Sequence, residues 1–344
     1  MRQLSIWDYL QRLLLTIVVV GFFAIMFMIA WAIIDALILL FIGLLISVIL
    51  RTLAKPIIRY TPINEVFAVI SVILLLVIII ALGAWLFVPE LIVQTEALIV
   101  QINAAIVQVE QFLLQYAWGQ DILEILFQQD PSQLPFQDLV PRFTDTFSLT
   151  LEGLTNILFM VFIGIFVALN PSLYRSGLLA LMPPGGRKRT NEIIDAIVAV
   201  LRGWLLGQFI SMCLIGVVVG IGLSVLGIPL ALLLGIISGL FEFVPILGPI
   251  IASVPGILIA FTMGIRTALY VTLFYLVIQQ LEGNIITPMV QRKTVHLPPA
   301  LTITAILIMS LLFGPLAVFI ATPLAAIIMV LVKMIYIEDI LGSL

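Results

Sequence analysis

The chain has 344 residues, of which 63% are hydrophobic and 10% charged, and its mean hydropathy is +1.31. Soluble domains average roughly 25% charge, so this chain has too little polar surface for a water-soluble fold. The net charge of −3 without a basic stripe excludes a nucleic-acid binder, and the apolar content excludes a disordered chain.

One cysteine, Cys213, and one histidine, His296, exclude a disulfide framework, a cysteine metal cage and a histidine cluster. Neither a metal nor a cofactor is expected. What remains is an all-α, polytopic membrane protein, since the alternation of an outer-membrane barrel is missing.

In chain order, Met1 to Arg12 (MRQLSIWDYLQR) reads as a short amphipathic helix, an interfacial anchor with Trp7 and Tyr9 at headgroup depth. No small-residue cleavage site follows its apolar run, so it is not read as a removable leader. Charge-free runs then occupy 13–34, 36–50, 66–89, 153–174, 203–241, 243–265 and 267–281, and 294–332 carries only His296. A helical span needs about 20 such residues. Asp35 marks the expected turn between the first two spans. Arg51, Lys55 and Arg59 follow the second, and Arg175, Arg187, Lys188 and Arg189 follow the fourth. By the positive-inside rule both clusters are cytoplasmic, which puts the N-terminus inside and 89–148, with eight acidic residues and Arg142 as its sole base, outside.

Within that outer insertion (90–148), residues 90–117 predict a long amphipathic helix. Ile92, Thr95, Ile99, Ile102, Ile106, Val109, Leu113 and Tyr116 alternate steps of three and four, a coiled-coil-like seam. The seam either packs on the protein itself or on lipid, or joins subunits. Residues 128–141 are a Pro-rich loop, and 142–152 lead back to the membrane.

Residues 230–264 and 299–332 would each be roughly 50 Å long as single helices, too long for a hydrocarbon core of about 30 Å. Pro245, Gly248, Pro249 and Pro255 break the first; Gly314, Pro315 and Pro323 break the second. As kinked spans they give eight crossings. As re-entrant hairpins they give six, with 13 of the 15 Lys and Arg cytoplasmic rather than 12. Hairpins also create an inverted repeat with Gly/Pro interruptions at corresponding places, the sequence mark of a transporter's substrate site, and are the preferred reading. The organisation expected is a three-span scaffold (1–89), the outer insertion, a fourth span and loop (149–189), a transport core (190–333) and a cytoplasmic tail (334–344).

Ionisable side chains inside spans are expensive and point to function. Glu242 precedes the Pro245 break. Glu282 lies in QQLEGNIITP, which also offers Gln279, Gln280, Asn284 and Thr287, while Gly283 and Pro288 would let that helix unwind. Gln208 is the polar residue of the fifth span. The plainer readings are a water-facing hairpin tip for Glu242, an interfacial carboxylate held by Arg292 or Lys293 for Glu282, and interhelical glue for Gln208. Gly203/Gly207, Gly216/Gly220 and Gly235/Gly239 are spaced for close helix packing. No ATP-binding GxxxxGK[ST] loop, voltage-sensor helix, potassium-type filter or HExxH is present. This leaves secondary transport ahead of an enzyme or a classical channel.

LNPSLYR (169–175), the Pro183-Pro184 loop, LRGWLLGQF (201–209), LGIPLALLLGIISGLFEFVPILGPIIASVPG (226–256), EGNIITPMV (282–290) and FGPLAVFIATPLA (313–325) together resemble the autoinducer-2 exporter (AI-2E) family of bacterial permeases. The resemblance runs from about 150 to 330. It implies a bacterial inner-membrane secondary transporter with both termini cytoplasmic, with export of the quorum-sensing signal autoinducer-2 as the type activity. Homo-oligomers follow from it too, pentamers among the candidates. Some members are described as sodium/proton antiporters. The matching positions here are Gln208, Glu242, Pro245, Gly248, Pro249, Glu282, Asn284, Pro288, Gly314 and Pro323. Ala317 departs, standing where a second glycine is common.

Three functions follow as expectations. In the first, a small polar metabolite is exported by alternating access, with Glu282, Asn284, Gln279, Gln280, Gln208 and Glu242 at the site. The second is cation/proton antiport through Glu282 or Glu242. The third is a non-transporting oligomeric scaffold built on the 92–116 seam.

Overall fold

The computed structural model describes residues 6–116, 151–286 and 298–342, all in helices and short connections. The 128–141 loop, Arg142, Thr287, Pro288, Arg292, Lys293 and His296 lie outside the described residues.

Helix α1 (Ile6–Tyr60) is continuous over 55 residues. The turn expected at Asp35 is therefore absent. No glycine or proline accompanies Asp35, and one aspartate costs a helix only a few tenths of a kcal/mol, roughly. The cytoplasmic N-terminus rested on that turn and loses its support. Helix α2 (Glu65–Leu113) likewise runs unbroken from the apolar 66–89 stretch into the amphipathic segment, through Pro89. Leu50 and Ala54 of α1 pack with Ala68, Val69 and Val72 of α2 and with Ala168 of α3 (Leu151–Leu169).

Arg51 ties the same end. It donates to the Ala168 carbonyl at 2.9 Å and to Glu65 Oε2 at 2.6 Å. Pro171 cannot continue α3, and α4 (Pro171–Ala180) leaves at 86°. Arg175 of α4 then reaches Asn191 Oδ1 at 2.6 Å and Asp195 Oδ2 at 2.7 Å on α5 (Arg187–Val225).

α5 is the axis of the second half. Helix α6 (Ala231–Phe241) packs along it through facing glycines. A Cβ on Gly235 would stand 2.7 Å from both the Gly216 carbonyl oxygen and the Gly220 Cα. The GxxxG spacings thus serve backbone contact, as expected of small-residue pairs in membranes.

Chain reversal follows. α7 (Leu247–Thr262) returns along α6, so Leu233 and Leu234 near the start of α6 share a core with Ile259 and Ala260 near the end of α7. A Cβ on Gly248 would lie 1.8 Å from the Phe241 carbonyl oxygen, so only glycine fits the reversal. At its tip Ile246 has φ 72 and ψ −57, and Leu247 N–H donates to Pro245 O at 2.8 Å. This is the γ-turn, strained for a β-branched residue. The first broken segment is a hairpin, not a kinked span.

Helix α8 (Ile265–Leu281) ends in a π-turn, Glu282–Ile286. The second broken segment is α9 (Pro299–Phe313) and α10 (Pro315–Leu331), packed on each other across Gly314 at φ 76. Met309 and Phe313 meet Ala317 and Ile320 against Ile38 of α1. Ala317 is fully buried in this contact. A π-helical tail (Val332–Ile340) brings Glu338 and Asp339 to Arg189, each at 2.8 Å. The flanks expose large apolar side chains such as Phe22, Phe23, Met28 and Trp85, as a lipid-facing surface does.

Candidate functional site

Glu242 caps the C-terminal end of α6, one turn after Ser238, and is 1% exposed. The end of a helix leaves carbonyls without intrahelical partners. Gln208, buried on α5, donates its side-chain amide to the Glu242 carbonyl and meets this need at the break. Next to it Phe243 stacks edge-on against Trp204, ring centroids 5.6 Å apart, and lies 5.8 Å from the Phe319 ring of α10. The tip of the first hairpin therefore touches the second.

Glu282 opens the π-turn at the end of α8, half-buried, with its carboxyl within hydrogen-bonding reach of Glu242. π-turns of this kind are frequent at functional sites. Both carboxyl groups line a cavity of about 20 Å³ with Ser238, Gln279 and Tyr275, walled by Ile215, Val219, Pro249 and Ile278. Tyr275, Gln279 and Glu282 share one face of α8 by i, i+4, i+7 spacing. Ser238 Oγ, Glu242 Oε2 and Tyr275 Oη are sealed from solvent with no hydrogen-bond partner of ordinary geometry. The Tyr275 hydroxyl lies beside Ser238 and against Gly256, where a Cβ would be 2.7 Å from it.

Of the residues predicted from sequence, Glu242, Glu282 and Gln279 meet at the cavity, and Gln208 stands behind it on the backbone. Gln280 and Asn284 face outward and pair with each other, Asn284 Nδ2 donating to Gln280 O at 2.9 Å and to its Oε1 at 3.1 Å. Pro249 lines the cavity, Pro245 starts the γ-turn, Pro323 is fully buried within α10, and Pro315 opens that helix. Ser238 and Tyr275 were not foreseen, though they lie one turn before Glu242 and two before Glu282. Among the described residues no group of His, Cys, Asp or Glu is arranged to hold a metal.

The seam splits. Ile102 and Ile106 turn inward, while Ile92 and Ile99 are exposed and Val109 and Leu113 are half-buried. The face that packs on the transport core is set by Leu91, Leu98, Ala105 and Phe112 instead. Gln94 of the same face accepts from the Leu233 N–H at 3.2 Å. A larger groove of about 780 Å³ between α5 and α6 is lined by Phe209, Met212, Val217, Ile221 and Leu240 without a charged group, the lining of a lipid-facing cleft.

The sequence profile described as AI-2E family transporter matches residues 20–337. The chain belongs to the AI-2E transporter family. It is 29% identical over 196 residues to "Putative transport protein YrrI" of Bacillus subtilis, covering 55% of this chain and 56% of that one. It is 26% identical over 220 residues to YueF of the same organism (62% and 59%), and 26% over 113 residues to YhhT of Escherichia coli K12 (33% and 32%). The match thus spans under two thirds of each relative. A polytopic helical membrane protein of a transporter family is what sequence and fold agree on.

Proposed function

We propose that this protein is a secondary transporter energised by proton movement through the Glu242–Glu282 pair, exchanging the proton for a small cation such as sodium. The carboxyl pair beside a cavity of about 20 Å³ carries this reading. A carboxylate has no hydrogen to donate, so two carboxyl groups that close to within a hydrogen bond of each other must hold a proton between them. When it leaves, two negative charges out of water need a positive replacement. A space of that size admits one water or one dehydrated ion, since a water needs about 10–15 Å³.

Export of a small polar solute of the autoinducer-2 kind is the second reading. It is favoured by Gln279, Gln280 and Asn284, which lead from the pair to the exposed side of α8. It requires the cavity to widen as the hairpins part. In both readings the hairpins are re-entrant, the Arg189 end and C-terminal tail are cytoplasmic, and the protein is a homo-oligomer in the bacterial inner membrane.

The test is flux in proteoliposomes of sodium and of autoinducer-2, each under an imposed pH gradient, for wild type and Glu282→Gln. Sodium-driven proton movement lost in the variant supports the first reading. Solute flux without sodium/proton exchange supports the second. A silent Glu282→Gln favours the scaffold reading over both.

A further inference from the structure

We infer that the hydroxyl pair Ser238–Tyr275 is the proton handover on the closed side of the Glu242–Glu282 pair. The inference rests on the proton-coupled reading above.

The carboxyl pair has two unlike sides. Toward the π-turn, Glu282 is half-buried and Gln280 exposed, so this is the more open side of the pair. Toward the α5–α6 turn, Leu223, Leu234, Ile259 and Val271 are each 0% exposed and close the bundle. Ser238 and Tyr275 stand between the carboxyls and this apolar seal and line the same cavity as Glu242. They are 2% and 9% exposed, and their oxygens have no ordinary partner. Buried hydroxyls without a hydrogen bond of ordinary geometry are costly, so a core without a use for them would carry alanine and phenylalanine.

Their placement is also held. Gly256 keeps α7 clear of the phenol, since a side chain there would strike its oxygen. A hydroxyl both donates and accepts. When the seal parts, a proton arriving from water on one hydroxyl releases that hydroxyl's own proton to the next and finally to Glu242. One proton enters, one arrives, and each hydroxyl ends with the hydrogen count it began with.

The experiment uses the full chain in proteoliposomes. Proton flux under opposed pH gradients is measured for wild type, Glu242→Gln, Tyr275→Phe and Ser238→Ala. Carbodiimide labelling of the two glutamates is followed by mass spectrometry. Tyr275→Phe and Ser238→Ala should each slow proton flux about tenfold or more, with carbodiimide labelling kept at wild-type rate, which also verifies the fold. Glu242→Gln should lose both flux and label at that position. Wild-type flux in both hydroxyl variants, with flux lost in Glu242→Gln, overturns the handover and leaves the carboxyl reading standing. Wild-type flux in Glu242→Gln overturns both. Equal loss of flux and of labelling in both hydroxyl variants makes their role structural and also overturns the handover.

Discussion

Gln208 donates its side-chain amide to the backbone carbonyl of Glu242, so an unbroken helix holds the point at which the next one stops. The bond fixes a backbone group and leaves the carboxyl of Glu242 to the cavity. Gln208→Leu removes the donor and strands the carbonyl in an apolar setting. The expected destabilisation is about 1–3 kcal/mol. It would appear as a lowered Tm in detergent or nanodiscs, and an unchanged Tm would show that Glu242 is held by other contacts.

The facing glycines give a second prediction. Gly235→Ala places a methyl 2.7 Å from the Gly216 carbonyl and from Gly220 Cα, both backbone atoms that cannot rotate aside. α5 and α6 must separate, at about 1–3 kcal/mol, the usual range for overpacking. Gly227→Ala has no neighbour within 4 Å, but sits at φ 71. It should be destabilised by roughly 1 kcal/mol through backbone strain alone. Thermal unfolding of the two variants separates steric from conformational roles.

Charge scarcity made Glu242 and Glu282 legible, because in a chain with 10% charge a carboxylate within an apolar run has no topological excuse. Gly/Pro punctuation made both hairpin breaks legible as well. What failed was inference from a single charge. Asp35 suggested a turn, but a helix interior tolerates aspartate where no glycine or proline weakens it. The seam of Ile92, Ile99 and Ile106 alternates steps of three and four, whereas the face buried within the protomer includes Leu98 and Ala105, the latter 0% exposed. In a helix apolar on several sides the 3.6-residue pattern does not say which stripe is covered. The meeting of Glu242 and Ser238 with Tyr275 and Glu282 needed α6 and α8 to be brought together, which no spacing within one helix encodes.

The γ-turn at Ile246 yields a third prediction. Ile246→Gly relieves a left-handed β-branched residue but loses part of a half-buried side chain, so Tm should move by less than about 1 kcal/mol equivalent. Ile246→Pro fixes φ near −65 and cannot form the turn. It should abolish flux while the corresponding glycine variant keeps it. Flux in the proline variant would show that the tip geometry is dispensable.

Arg189 joins Glu338 and Asp339 and donates to the Met334 carbonyl at 2.9 Å, so one guanidinium holds the π-helical tail on α5. Because the site is open to water, a large stability loss is not expected from Arg189→Ala. Local opening is. Amides of 332–340 should exchange faster by hydrogen–deuterium mass spectrometry, while those of 315–331 stay protected. Unaltered exchange in the tail would mean that it is held by apolar packing.

The contact of Phe243 with Phe319 links the tip of the first hairpin to the second, and Trp204 backs it from α5. If the hairpins move together, this aromatic contact carries part of their coupling. A double-mutant cycle of Phe243→Leu and Phe319→Leu should give an interaction of about 0.5–1.5 kcal/mol in stability. The single variants should slow flux while carbodiimide labelling of Glu242 is retained, because neither ring lines the cavity. Additive stabilities, with flux unchanged in both single variants, would mean that the hairpins act independently at this contact.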